Sequence, residues 1–103
     1  MPQTGSSSIA ERKHKLLTVI DASAEVMGKI AATAFRFSFK NVQKKEWESV
    51  VDNAGLLESH IRAVFGAGGE VLLQIMSKNI CREFNLEYLE SRSLTEYVND
   101  VLS

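Results

Sequence analysis

The first third of the chain carries hydrophobic and polar residues at the three- and four-residue steps of an α-helix. Its polar stripe consists of Glu11, Lys15, Thr18, Glu25, Lys29 and Arg36. Two mainly apolar rows cover the rest of the circumference: one contains Leu16, Ile20, Ala24, Met27, Ala31 and Ala34, and the other contains Val19, Ser23, Val26, Ile30 and Phe37. Gly28 is the one glycine in this stretch, so the pattern predicts a long helix over residues 9 to about 37 at the centre of the domain.

The middle of the chain predicts a connection followed by two short helices or one bent helix. The aromatic segment at residues 37–41 alternates but has no second strand to pair with, so we expect an extended connection whose phenylalanines fill the core. Residues 44–52 then carry apolar side chains at helical spacing, and Asn53 is a typical cap for the helix that follows it. The apolar residues of these helices are Trp47, Val50, Val51, Ala54, Leu57, Ile61, Val64 and Phe65.

Glycines and caps delimit the last two predicted helices. A tight interhelical turn is expected at Gly66, Gly68 and Gly69. Gly66 suits the positive φ of a helix C′ position, and the next helix is expected from near Gly68 to a stop at Asn85. Ser93 and Glu96 match a capping box ahead of a short final helix. The sequence therefore predicts an all-α protein, a compact bundle of four to five helices.

Composition is that of one small globular domain. The 103 residues are 45% hydrophobic and 24% charged, and the formal net charge of −1 gives no global attraction to nucleic acid or membranes. A single cysteine and the lack of any apolar run near the roughly 20 residues of a membrane span favour a cytoplasmic protein. Residues 1–8 have the composition of a disordered leader, and residues 9–103 form the single helical domain.

No set of residues matches a catalytic or metal-binding motif. The glycine turn lacks the Gly-Lys-Ser/Thr ending of a phosphate loop, and Glu70 puts a negative charge in the helical turn after it. His14 and His60 have no second ligand at metal-binding spacing. Cys81 lies beside an isoleucine on an apolar helix, as a structural cysteine does. We therefore expect neither an enzyme nor a bound cofactor.

Two groups of residues are candidates for binding. The main basic concentration, which could contact nucleic acid, consists of Arg12, Lys13, Lys15, Lys40, Lys44 and Lys45. The second group is small side chains that let another backbone approach the first helix, namely Ala24, Gly28, Ala31 and Ala32. The apolar arc of that helix is wider than the remaining short helices can cover, which favours a homodimer with these residues at its interface.

A family resemblance begins at residues 57–72, LESHIRAVFGAGGEVL, and continues through Ile75, Ile80, Cys81, Phe84 and Leu86. These residues resemble Nitrosopumilus output domain 5, a small archaeal family with a helix, a Phe-Gly-x-Gly turn and a long apolar helix in succession. The resemblance covers about residues 21–87. Ala54 stands where family members often have proline and Asn85 where they have glycine. The resemblance implies a non-catalytic signalling or adaptor domain, alone or attached to sensory modules.

The absence of site chemistry and the wide apolar arc predict a non-catalytic interaction or output module in signal transduction or regulation, and the resemblance implies one of archaeal type that binds a protein partner or a fused sensory module. Two alternatives stay open: a nucleic-acid-binding transcriptional regulator, and a small-ligand sensor with a pocket between helices. Nucleic acid is the less favoured partner, because the helix after the glycine turn carries only Lys78 and Arg82 as basic residues.

Overall fold

The computed structural model describes residues 8–103, which form an all-α bundle. Its α-helices are α1 (Ile9–Ala24), α2 (Lys29–Gln43), α3 (Ala54–Phe65), α4 (Ala67–Phe84) and α5 (Leu94–Leu102). Short 3₁₀-helices at Glu25–Met27 and Trp47–Asp52 lead into α2 and α3, and the described residues contain no strand. The predicted fold class is therefore confirmed. Residues 1–7 of the predicted leader lie outside the described residues, and Ser8 is the N-cap of α1.

Instead of one long helix over residues 9–37, the structure has two, because the chain turns at Gly28. This glycine has φ +99° and ψ 154°, a backbone conformation that residues with a Cβ rarely adopt. α1 consequently ends at Ala24, a 3₁₀ turn follows, and α2 begins at Lys29 as a separate helix. A lone glycine in a helical pattern is compatible with either arrangement, which is why the break is invisible in the periodicity.

Residues 37–41, expected as an extended connection, belong to α2. Phe35 and Phe39 are four positions apart, so both face the core, where they are at most 2% exposed. Phe37 lies between them in sequence and points to the other side of the helix, into solvent. α2 ends at Lys44, which adopts the left-handed conformation with φ 58°. The helical spacing of the two buried rings, rather than strand-like alternation, determines the local structure.

Side chains cap two of the helices. Ser8 and Glu11 form a capping box at the start of α1, and Ser93 and Glu96 form another at the start of α5. In each box the serine hydroxyl accepts from the glutamate N–H while the glutamate carboxylate accepts from the serine N–H. Asn53 also stands at an N-cap, that of α3, but its side chain donates to the Ser49 carbonyl at 2.9 Å and does not cap the helix.

The connection between α3 and α4 is a single residue, Gly66. Its φ of +56° is positive as expected, but its ψ of −130° lies outside the left-handed helical region. α4 then begins at Ala67. A Cβ at Gly69 would lie 3.0 Å from the Ile61 carbonyl oxygen, so this glycine allows α3 and α4 to pack closely, whereas Gly68 faces open space. At the other end of α4, Asn85 adopts the left-handed conformation and ends the helix.

α4, rather than the first helix, is the central helix, and it packs against α1, α3 and α5. A hydrogen bond of 2.9 Å from Asn79 Nδ2 to Ser23 Oγ joins it to α1. The Tyr97 hydroxyl of α5 donates to the Leu89 carbonyl at 2.8 Å and accepts from the Leu89 N–H at 2.7 Å. α2 contacts chiefly the two 3₁₀-helices and α3. Within the described residues, no helix has the length and hydropathy needed to cross a membrane.

Candidate functional site

The solvent-facing side of α2 is apolar. Ile30 is 87% exposed and Phe37 is 67% exposed, although both are large hydrophobic side chains. Thr33 and Ala34 lie between them at the steps of one helical face, and the four residues, which we call the outer face, line a shallow groove together with Lys29. Exposed large apolar side chains are normally scattered singly on a monomer surface, so their grouping on one helix makes this face the candidate binding surface.

The outer face is not needed to hold α2 on the bundle, because the opposite side of the helix does that. Phe35 stacks on Phe65 of α3 with ring centroids 5.5 Å apart and meets the edge of Trp47 at 5.9 Å. Phe39 contacts Trp47 and His60 at 5.7 and 5.6 Å. α2 thus has apolar residues on two sides, one buried in this aromatic cluster and one left in solvent.

The polar edge of the outer face is basic. The helix α2 contains Lys29, Arg36 and Lys40 but no acidic residue. Arg36 lies 3.5 Å from a carboxylate oxygen of Asp21 and 3.5 Å from one of Glu25. Lys40 lies 3.4 Å from a carboxylate oxygen of Glu46. Within the described residues, Lys29 forms no ion pair. Lys29, which lines the apolar groove, is thus the cation of this edge without a carboxylate neighbour among the described residues.

The small residues predicted for a dimer interface do not share one exposed surface. Ala24 and Ala32 are fully buried inside the chain, whereas Gly28 and Ala31 are exposed. Because the helix breaks at Gly28, the four residues no longer lie on one continuous helix. The buried alanines have no surface to offer to a second copy, so a dimer interface built on all four positions does not fit this fold.

The predicted nucleic-acid contacts are divided between two parts of the fold. Lys13 of α1 is 2.8 Å from a carboxylate oxygen of Asp52, and Lys15 donates to the Glu83 carbonyl at 3.3 Å. The remaining positions are Arg12, which is half-buried on α1, and Lys40, Lys44 and Lys45, which are exposed at the end of α2. Acidic side chains of this chain partly neutralise both groups, which weakens the attraction to a phosphate backbone.

A serine and a histidine meet inside the fold, a pairing that the sequence does not reveal. Ser38 Oγ of α2 lies 3.0 Å from His60 Nε2 of α3, and the Gln43 amide nitrogen lies 3.4 Å from His60 Nδ1. With the amide donating to Nδ1, Nε2 carries the proton and donates to Ser38, the reverse of what an activated nucleophile requires. His60 is only 3% exposed, and burial lowers its pKa. The pair links α2 to α3.

A polar pocket of about 250 Å³ is lined by residues of α3, α4, α5 and the segment before α5. Three of its charged groups, Glu58, Arg62 and Glu70, already bind one another. The buried Glu58 carboxylate accepts hydrogen bonds from both the N–H and the hydroxyl of Thr95, and Arg62 lies 3.4 Å from its second oxygen. Arg62 also donates to Glu70 at 2.6 Å, which lowers the pKa of that carboxyl. These contacts fasten α5 to α3.

Other chemistry-bearing residues of the described chain are dispersed or buried. Histidine, cysteine and carboxylate side chains form no group of three that could hold a metal ion in this part of the chain. Cys81 is buried, its Sγ lies 3.9 Å from the Glu87 carbonyl oxygen, and burial raises the pKa of the thiol. A thiol in that state is a weak nucleophile.

Ile30 and Phe37 were members of the second apolar row in the sequence, but nothing in the periodicity separates them from buried residues of the same row. The available signal was the presence of two apolar rows on one helix of a short chain. Contacts across the fold, such as Ser38 with His60, leave no local signal in the sequence.

No family model, curated protein or solved structure matches the chain, and the resemblance to the archaeal output domain stays a prediction.

Proposed function

We propose that the protein is a non-catalytic interaction module for signalling or regulation, and that the outer face of α2 is its docking surface. The observation that carries this proposal is the exposure of Ile30 and Phe37 side by side on a helix already anchored by its other side. Covering two large apolar side chains contributes roughly 1.5–3 kcal/mol each, an appreciable part of a regulatory protein's binding energy.

The location of the surface also supports a binding role. α2 begins directly after the Gly28 turn and packs chiefly against the two 3₁₀-helices and α3, whereas Ile30 and Phe37 of its outer face are exposed to solvent. A partner can therefore lie along the groove without displacing any part of the core. An apolar centre with a basic edge has the arrangement of a protein interface, whereas a nucleic-acid surface places basic and hydrogen-bonding groups at its centre.

The test compares a surface variant with a matched control. Ile30→Ser combined with Phe37→Ser removes the apolar groove, while Val71→Ser removes an exposed apolar side chain from α4. Both proteins are purified by affinity tag from the cells in which the chain is naturally made, and bound proteins are identified by mass spectrometry. We expect the double variant to lose partners that wild type and Val71→Ser retain.

Thermal melts of the same proteins separate lost binding from lost folding. Because Ile30 and Phe37 are exposed, the double variant should stay within about 0.5 kcal/mol of wild type in unfolding free energy. Phe39→Ser, which empties a fully buried position of the same helix, should instead cost about 3 kcal/mol or more. Retention of every bound protein by a folded double variant would contradict the proposed docking surface.

A further inference from the structure

We infer that the segment docking on the outer face of α2 is an amphipathic helix of another protein that carries acidic residues along one edge. This inference rests on the proposed function of that face.

The charge of the chain is strongly segregated. Five of the twelve basic residues and none of the thirteen acidic residues lie between positions 29 and 45. These five are Lys29, Arg36, Lys40, Lys44 and Lys45. In sequence this stretch is therefore cationic, although the whole chain has a formal net charge of −1 and carboxylates of neighbouring segments lie beside Arg36 and Lys40. Complementary potential across an interface accelerates association and excludes wrong partners, so the occupant is expected to be acidic.

The cations on α2 lie along one side of the groove. At 100° per residue, Lys29, Arg36 and Lys40 fall on the same side of the outer face. The opposite side carries Ala31, Ser38 and Val42, which have no charge. A straight partner helix is complementary to this charge distribution if its apolar residues cover Ile30 and Phe37 and its acidic residues lie only beside the basic edge of α2.

Among the basic residues of α2, Lys29 is the one at which charge complementarity with an acidic partner is largest. Arg36 and Lys40 already have carboxylate neighbours in this chain, although at 3.4–3.5 Å and partly in water these pairs are weak. Lys29 lines the groove and has no ion pair within the described residues. A carboxylate from a partner can approach it without displacing an existing contact.

A second copy of the chain is a poorer occupant. In an antiparallel two-fold pair of α2 helices, the basic edge of each copy lies beside the basic edge of the other, which opposes association. In a parallel pair the two basic edges separate, but each then faces the uncharged side of its partner. In neither arrangement does α2 itself supply a carboxylate, because it has none.

The occupant is identified by photo-crosslinking of the full chain. Phe37→p-benzoylphenylalanine keeps an aromatic ring at the groove, and the crosslinked peptide is sequenced after irradiation of the cells that naturally make the protein. We expect a segment of another protein with helical apolar spacing and acidic residues on one side. A segment of this same chain, a lipid adduct or a basic segment would overturn the inference, whereas absence of any adduct would count against the docking surface itself.

A charge-reversing substitution in this chain then tests whether the basic edge of α2 contacts the acidic residues of the partner. Binding of the synthetic peptide of the captured segment is measured by titration against wild type, Lys29→Glu and, as a control of equal charge change, Lys78→Glu on α4. We expect Lys29→Glu to weaken binding about tenfold more than the control, since repulsion replaces attraction at the groove. Lysine substitution of the acidic peptide residues should restore binding to Lys29→Glu. Equal effects of the two variants would refute the assigned edge.

Discussion

Substitution of Glu58 by alanine should destabilise the fold through the loss of the link between α3 and α5. The carboxylate is 7% exposed and accepts the Thr95 N–H at 2.8 Å as well as the Thr95 hydroxyl. Thr95 is in the first turn of α5, where backbone N–H groups have no partner within the helix. Glu58 therefore satisfies a donor at the N-terminus of α5, where a negative charge also interacts favourably with the helix dipole.

The magnitude follows from these two hydrogen bonds. A hydrogen bond to a charged acceptor contributes about 1.5–3 kcal/mol, and removing the acceptor leaves donors without partners. The pair with half-exposed Arg62 adds little. We expect Glu58→Ala to cost about 3 kcal/mol and the isosteric Glu58→Gln, which keeps an acceptor oxygen, to cost about 1 kcal/mol. Against a total stability of about 5–15 kcal/mol, the alanine change is severe.

Urea denaturation followed by circular dichroism measures this difference. With an m value of about 1–3 kcal/mol per molar urea, Glu58→Ala should lower the midpoint by about 1–3 M. Glu90→Ala, at an exposed residue, serves as the control and should leave the midpoint unchanged. Faster hydrogen exchange at the Thr95 amide would assign the loss to the start of α5. Equal midpoints for Glu58→Ala and Glu58→Gln would refute the argument.

Three further outcomes are expected. The folded-state pKa of His60 lies below its ordinary value of 6.5, so the unfolded chain binds the proton first as pH falls. The contribution of neutral His60 to the free energy of unfolding is therefore complete above about pH 6.5 and is lost as pH falls toward the folded-state pKa. Urea midpoints measured between about pH 7.5 and pH 5 should consequently depend less on pH in His60→Gln than in wild type. Gly66→Val should cost roughly 1–3 kcal/mol in thermal melts, since a β-branched residue is strained at positive φ; an unchanged melting temperature would refute this role. Ser93→Ala should cost about 1 kcal/mol by loss of the α5 capping box, and an unchanged denaturant midpoint would contradict it.

Local signals predicted several features of the fold. The Ser-x-x-Glu pattern at Ser93 lies where α5 begins, and Asn85, which tolerates the left-handed conformation, ends α4. These signals are reliable because the residues concerned act on their own neighbours in the chain. The break at Gly28 was missed, because a glycine inside a helical pattern either continues the helix or turns the chain, and tertiary contacts decide between them.

The candidate site was less predictable than the fold. Apolar excess in the first part of the chain is evident from its two rows, but which members stay in solvent depends on where α2 packs. Phe35 and Phe39 are buried and Phe37 is not, a result set by partners such as Phe65 and His60, which belong to a different helix, α3. Likewise, nothing local indicates that Glu58 reaches Thr95, 37 positions later.

The packing of α1 on α4 has a consequence for the order in which the chain acquires structure during synthesis. α1 meets α4 through contacts such as Ser23 with Asn79, 56 positions apart, and Lys15 with the Glu83 carbonyl, 68 positions apart. When α1 leaves the ribosome, the helix that covers its apolar side has not yet been made. Until α4 has been synthesised, residues of nascent α1 such as Leu16 and Ile20, which are buried in the fold, stay exposed to solvent. During this interval the chain is open to aggregation and to binding by chaperones.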